Sequence, residues 1–123
     1  MRKSKGNVSP KRGEIWIVNF NPTIGSEIRK TWPAVILQNN TGNYFSSVTI
    51  VAAISSRPDD ALYPTEVLVE DPEGGLKETS VVLLNQIRTI DKKRLVKKIG
   101  ALKPETLLRV NYALQISLGI LDL

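Results

Sequence analysis

The chain has 123 residues, 41% of them hydrophobic and 24% charged, a composition typical of one globular domain. It contains neither cysteine nor histidine, which excludes disulfides, thiol nucleophiles and the usual proton shuttle near neutral pH. The net charge of +5 favours a polyanionic partner such as nucleic acid. No apolar stretch has transmembrane length and no signal peptide is recognisable, so we expect a cytoplasmic protein without a membrane partner.

Residues 1–10 are rich in lysine, serine and glycine, and we expect them to form a disordered basic arm before a single domain spanning residues 11–123. Period-two and continuous apolar patterns predict several strands. These predicted strands cover residues 14–20, 33–38, 48–54, 65–70, 80–84, 87–90 and 95–99. The polar segments 21–31 and 39–47 predict loops, and Asp91 is expected to cap one helical turn ending at Arg94.

The C-terminal segment has a different period. Pro104 suits a first helical position, and apolar residues then recur at helical spacing, which predicts an amphipathic helix over residues 104–117. We expect its leucine stripe and Tyr112 to pack in the core. Short strands followed by one helix predict a mostly β fold with a C-terminal helix, arranged as a small barrel.

The remaining polar residue types limit the possible chemistry. The acidic residues are scattered, so a two-metal nuclease site is not predicted and no metal is expected. RNA carries its own nucleophile, the 2′-hydroxyl beside each phosphate. Arginine, hydroxyl and carboxylate groups can assist its attack by stabilising charge and moving protons. The composition therefore fits RNA cleavage without a cofactor.

Several segments, in this order and spacing, resemble the MazF/PemK family of bacterial toxin endoribonucleases. The matching segments are residues 11–16, 21–23, 25–27, 33–36, 51–54, 80–84, 86–91 and 113–118. The resemblance implies an SH3-like small barrel of the MazF/CcdB type and a homodimer. It also implies an mRNA interferase: sequence-specific, metal-independent cleavage of single-stranded mRNA that leaves 2′,3′-cyclic phosphate and 5′-hydroxyl ends.

The resemblance further implies a cognate antitoxin whose acidic, disordered tail occupies the RNA groove. DNA would be a partner only indirectly, through that antitoxin. Five basic residues between Lys92 and Lys98 are most simply a solvated face, although they can also add to phosphate attraction.

The family's site residues carry over one by one. Glu27 matches the loop that flanks the active site, and Ser55 stands where the family places a catalytic hydroxyl. The predicted RNA-binding residues are Ser26, Arg29, Lys30, Asn43, Gln86 and Arg88. Arg88 has two structural alternatives, an ion pair with Asp91 or a contact with the dimer partner.

Position 32 departs from the family. The family's catalytic arginine precedes the proline of the second strand, and this chain has Trp32 there. Tryptophan supplies no positive charge, so we expect impaired cleavage, slower by roughly a hundred- to a thousandfold. Three explanations compete: an inactivated variant, a natural homologue that still binds RNA and antitoxin, or substitution by Arg29 or Lys30. We favour the first two.

Two further alternatives remain open. Trp32 either stacks on a base or packs against its neighbours, whereas Trp16 alternates with apolar residues and is expected in the core. The alternative function is a non-catalytic module on the same fold, binding RNA and antitoxin or acting as a CcdB-like gyrase poison.

Overall fold

We analysed a computed structural model, which describes residues 9–20, 31–56 and 62–123. Six strands alternate with few helices. The strands are β1 (Glu14–Asn19), β2 (Thr31–Ile36), β3 (Val48–Ser55), β4 (Glu66–Val69), β5 (Ser80–Asp91) and β6 (Leu95–Ala101). The α-helices are α1 (Asn40–Phe45) and α2 (Pro104–Ser117). The predicted mostly β fold with a C-terminal helix is confirmed.

The strands form one antiparallel sheet in the order β4-β5-β3-β2-β1-β6. The hydrogen-bonded sheet is open, with β4 and β6 at its edges. A short 3-10 turn, Glu73–Gly75, follows β4 and packs against β6 at the opposite edge. A Cβ atom added to Gly100 would collide with the carbonyl group of Gly74, which shows how closely the turn approaches. The sheet therefore curls towards a barrel without closing its ladder.

Two apolar clusters form on opposite sides of the strands, because successive side chains of a strand point to opposite faces. The larger cluster lies under α2 and includes the paired residues Ile15 and Val35, with Ala52 on β3. The smaller cluster includes Trp16 and Ala34, which are also paired, and Val51. Trp16 is only 7% exposed, which confirms its predicted place in the core.

Two predicted interruptions in the chain were wrong. Residues 40–45 form α1 instead of a loop, with Asn39 as N-cap accepting a hydrogen bond from the backbone N–H of Gly42 at 2.7 Å. The predicted break at Asn85 and Gln86 is a stretch of β5 in which the register with β3 shifts. The predicted turn capped by Asp91 is confirmed as a 3-10 turn, Lys92–Arg94.

Helix α2 has the predicted bounds, and most of its predicted apolar stripe faces the core, since Val110 is buried and Leu107 and Leu114 pack against the larger cluster. Its buried residues are Thr106, Val110 and Ala113. Tyr112 is 58% exposed, so the expectation that it packs in the core was wrong, and Leu108, one turn before it, is 68% exposed. Only one stripe of α2 faces the sheet, so the helix buries fewer of its leucine side chains than the sequence indicates.

Part of the predicted basic arm, residues 1–8, lies outside the described residues. Ser9 and Pro10, placed in that arm above, belong to the folded part, because Pro10 is buried and the Ser9 hydroxyl donates to the Asn43 carbonyl at 3.4 Å. Among the described residues, no helix has the length and apolar character needed to cross a membrane.

Candidate functional site

Strand register brings Trp32 and Ser55 to the same place. Ala34 on β2 pairs with Ala53 on β3, and cross-strand partners share one face of a sheet. Trp32 lies two residues before Ala34, and Ser55 lies two residues after Ala53. Because the strands are antiparallel, both side chains reach the same end of the pair on the same face.

Arg88 joins this face from the other neighbour of β3. It pairs with Val51, which is two residues before Ala53 and therefore shares its face. Close to this pair, Ala52 faces Ile87 whereas Ile54 faces Val82, so the four residues 83–86 of β5 stand against Ala53 alone. Such bulges re-aim side chains, and here the bulge contains Gln86.

These side chains surround a cavity of about 370 Å³. It is lined by Phe20, Trp32, Ala53, Ile54, Ser55, Leu83, Gln86 and Arg88. Four of them, Trp32, Ser55, Gln86 and Arg88, are predicted site residues. Trp32 is 51% exposed, so the cavity is open to solvent at the indole.

Within this cavity the Arg88 guanidinium carbon lies 5.0 Å from the centroid of the Phe20 ring, a cation–π arrangement. Phe20 itself packs against the smaller apolar cluster. Arg88 and Asp91 both lie in the described part of the chain, and they form no ion pair. The Asp91 side chain instead accepts a hydrogen bond from the Lys93 backbone N–H. That structural alternative for Arg88 was wrong.

Asn43 has a different role from the one predicted. Its side chain is fully buried, and its Oδ1 accepts from the Thr49 hydroxyl at 2.7 Å and from Gln38 Nε2 at 3.2 Å. Its Nδ2 donates to the Gln38 carbonyl at 2.9 Å. A buried, fully used amide cannot contact RNA, so the prediction of Asn43 as an RNA-binding residue was wrong.

Four predicted residues, Ser26, Glu27, Arg29 and Lys30, lie outside the described residues. Phe20 and Leu83 were not predicted, although both line the cavity. The sequence signal for Phe20 was its place at the end of the predicted β1 alternation, next to the predicted loop of residues 21–31. Leu83 carried no comparable signal, because its position depends on the bulge.

The basic segment between Lys92 and Lys98 divides in the structure. Lys92 is 3% exposed, and its Nζ donates to the carbonyls of Asn43 at 2.7 Å and Ser46 at 2.9 Å. Lys98 forms an ion pair with Glu14 at 2.8 Å. Only Lys93 and Lys97 fit the expected solvated face without such a contact, since Arg94 donates to the Asn19 carbonyl at 3.2 Å.

Glu14 is held in a charged state by this pairing. Burial raises its pKa, but hydrogen bonds from Lys98, from the Lys11 backbone N–H and from the Trp16 indole outweigh burial. The net pKa of Glu14 is below its ordinary value of 4.5. Glu14 lies on β1, away from the cavity, so we assign it a structural role.

Two other regions of the described chain lack the features of this cavity. In the portion of the chain with described structure, no group of three or more acidic side chains is arranged to hold a metal ion. A separate cavity of about 510 Å³ lies beside α2 and is lined mainly by apolar residues, including Leu108 and Tyr112. It contains none of the predicted site residues.

Comparison with known proteins identifies the family of this chain. The family described as PemK-like, MazF-like toxin of type II toxin-antitoxin systems matches residues 11–118. The chain belongs to this family. The predicted MazF/PemK resemblance is thereby confirmed, and the match covers the whole described site.

Among individual relatives of this MazF-like chain, the endoribonuclease EndoA of Bacillus subtilis (strain 168) is 44% identical over 112 residues, which cover 91% of this chain and 97% of EndoA. A MazE–MazF structure from Deinococcus radiodurans is 25% identical, with a TM-score of 0.77 over 94% of this chain and all of that chain (100%). A mycobacterial endoribonuclease in complex with its cognate antitoxin, 22% identical, shares the fold with a TM-score of 0.77 over 93% of this chain and 99% of that one.

Proposed function

We propose that this protein is a toxin endoribonuclease that cuts single-stranded mRNA at short sequences, without metal, and is restrained by a cognate antitoxin. The observation that carries the proposal is the 44% identity to an endoribonuclease across 91% of the chain. The site supports it, since one cavity combines a hydroxyl, a guanidinium and an amide with two aromatic rings.

The proposed reaction is an in-line transfer within the RNA. The 2′-oxygen forms a bond to the adjacent phosphorus, and the bond from phosphorus to the 5′-oxygen breaks. The 2′-hydroxyl proton passes to a base and the 5′-oxygen receives a proton, which leaves a 2′,3′-cyclic phosphate and a 5′-hydroxyl. Guanidinium charge at the phosphate stabilises the phosphorane, and Arg88 is the described arginine that lines the cavity.

Within this reaction Ser55 is the proposed catalytic hydroxyl, and Glu27 remains a predicted catalytic residue outside the described residues. Gln86 and Arg88 are proposed RNA contacts, as are Ser26, Arg29 and Lys30 by prediction. Trp32 occupies the position of the family's arginine, so the chain is expected to cleave slowly.

The proposed partners follow from the family. An antitoxin with an acidic tail complements the net charge of +5. A homodimer is supported by exposed apolar side chains at the end of α2, of which Leu118 and Ile120 are examples. The proposed compartment is the cytoplasm, where mRNA is available. DNA is contacted only through the antitoxin.

The test restores the arginine. Trp32→Arg is expected to raise the cleavage rate of single-stranded RNA in EDTA by a hundredfold or more, because charge is returned beside the phosphate. Thr31→Arg is the matched control: it adds the same charge one residue earlier, on the opposite face of β2. Mass spectrometry identifies the cyclic phosphate ends, and a 2′-O-methyl group at the scissile nucleotide is expected to block the reaction.

Two results would reject the proposal. The first is that neither the wild type nor Trp32→Arg cleaves single-stranded RNA in EDTA. The second is a product with a 3′-hydroxyl, because hydrolysis without the 2′-oxygen cannot be the proposed transfer. A wild-type rate equal to that of Trp32→Arg would remove the proposed impairment alone.

A further inference from the structure

The surroundings of Trp32 are not explained by the loss of the family's arginine at this position. Its indole is 51% exposed on the rim of the cavity, and it belongs to neither apolar cluster. The other tryptophan, Trp16, is 7% exposed and donates its indole N–H to Glu14 at 3.0 Å. Trp32 therefore presents a large flat surface to whatever enters the cavity.

Opposite this surface, β5 supplies polar groups. Gln86 and Arg88 both line the cavity and are exposed. The Arg88 guanidinium carbon lies 5.0 Å from the centroid of the Phe20 ring. This cation–π contact restrains the guanidinium and leaves its N–H groups available as donors. Within the described parts of the chain, neither side chain uses its donors in a hydrogen bond or ion pair.

Between these groups the cavity has an apolar lining, to which Ala53 and Leu83 contribute. An apolar lining with an exposed aromatic ring and polar side chains matches a nucleobase, which has an apolar π-face and a hydrogen-bonding edge. A bare phosphate would gain nothing from Trp32. A purely apolar ligand would leave the Arg88 and Gln86 donors unpaired, which is costly.

A purine fits this set better than a pyrimidine does. Its two fused rings offer more area to the indole. Its Hoogsteen edge also presents the acceptor N7 next to O6 in guanine or to an amino group in adenine, which arginine and glutamine recognise. The cavity volume of about 370 Å³ is ample for one base.

We infer that the cavity binds one unpaired purine of the RNA, stacked on Trp32 with its edge against Arg88 and Gln86. This inference rests on the proposed function. Trp32 is then a specificity-determining residue, and the residue that slows the chemistry also selects the RNA. Because Ser55 lines the same cavity, the bond that is cut lies next to this purine.

The experiment uses short 2′-O-methyl oligouridylates, which cannot be cleaved, with uridine, cytidine, adenosine or guanosine at the central position. Binding to the full chain is followed by anisotropy of a labelled oligonucleotide and by tryptophan fluorescence. We expect the purine oligonucleotides to bind at least about tenfold more tightly and to quench the emission of Trp32. Trp32→Leu should lower purine affinity by roughly 5- to 150-fold, the range of one base–aromatic stack, and abolish the quenching.

Matched variants separate stacking from folding and charge. Trp32→Phe should retain part of the purine preference, and Tyr63→Leu, an exposed aromatic outside the cavity, should retain all of it. Arg88→Lys keeps the charge but loses the planar fork, so it should reduce purine discrimination more than uridine binding. Thermal unfolding of each variant checks that Trp32→Leu is folded, as expected for a half-exposed side chain.

Three outcomes would overturn the inference. Equal wild-type affinity for purine and pyrimidine oligonucleotides removes the purine assignment, and so does an equal loss for both in Trp32→Leu. In either case, cleavage of single-stranded RNA in EDTA by the wild type or Trp32→Arg still tests the proposed function independently. Failure of every variant to bind or cut any RNA would reject both.

Discussion

At the scale of single residues, Asn43 and Lys92 connect α1 to the end of β5. Asn43 binds Gln38 and Thr49 through its side chain, and Lys92 donates to the carbonyls of Asn43 and Ser46. The ammonium group thus lies at the carbonyl end of a six-residue helix, where positive charge is favourable. Such a short helix is not stable alone, so these hydrogen bonds hold it in place.

We predict that Lys92→Met lowers the free energy of unfolding by roughly 1–3 kcal/mol, because the apolar stem is kept while the charged hydrogen bonds are lost. The adjacent Lys93→Met is the control, and its exposed side chain should change stability by less than about 0.5 kcal/mol. Urea denaturation measures both. Equal stability of the two variants would show that the buried ammonium contributes nothing net.

Both residues show where sequence reasoning stops at this scale. Asn43 lies in a segment rich in asparagine and glycine, and Lys92 lies in a basic segment, so local composition places both at the surface. Their burial depends on each other across 49 positions of the chain. Trp32 and Ser55, which line one cavity, were predicted as site residues only through family resemblance, since the register of Ala34 with Ala53 is not visible in either strand alone.

At the scale of elements, β1 and β6 are joined by a charged contact as well as by their ladder. Lys98 pairs with Glu14 at 2.8 Å, and Glu14 also accepts from the Trp16 indole at 3.0 Å. These contacts lower the pKa of Glu14 against the opposing effect of burial. The ionised carboxylate of Glu14 is therefore more stable, relative to its protonated form, in the folded state than in the unfolded chain.

A pH dependence follows from that direction. Because the folded pKa of Glu14 lies below 4.5, its stabilising contribution is complete above that value and is lost as pH falls through the lower folded pKa. We predict that wild type exceeds Glu14→Gln in free energy of unfolding at pH 7 and that the difference shrinks by pH 3. Denaturation at both pH values measures it, with exposed Glu70→Gln as control. A difference that is constant with pH would contradict the assignment.

The type of an element was predictable where one hydrophobic period runs through the whole segment. The alternation of β1 and the helical spacing of α2 are local properties, and both elements were found. The bulge of β5 was not predictable, because Asn85 and Gln86 resemble a turn in sequence, whereas in the sheet they are exposed strand residues. What keeps them in the strand is pairing with β3 on both sides of the bulge.

At the scale of the whole molecule, we expect the net charge of +5 to attract the proposed RNA substrate. Binding to single strands releases counterions in proportion to the phosphates neutralised. If three phosphates are neutralised, affinity should fall about 20-fold between 50 and 200 mM salt. Anisotropy of a non-cleavable RNA measures this, and a methylphosphonate analogue without backbone charge is the control. A flat salt profile for the charged RNA would exclude phosphate contacts.

The fold class was predictable as a whole because strands followed by one amphipathic helix leave few layered arrangements. The curl of the sheet was not, since it depends on the approach of the Glu73–Gly75 turn to β6 across the molecule. That contact requires glycine at positions 75 and 100, because a Cβ atom at either position would collide with backbone atoms across the contact. No local pattern marks it.

The same contact protects the protein from self-assembly through its backbone. An uncovered outer strand offers free N–H and C=O groups as a template on which another chain can add a strand. Here the turn covers one such strand near Ile99 and Gly100, and the rest of that strand carries Lys97 and Lys98. The opposite border is only four residues long. Both edges of the sheet are therefore poor templates for strand addition by a second copy of the chain.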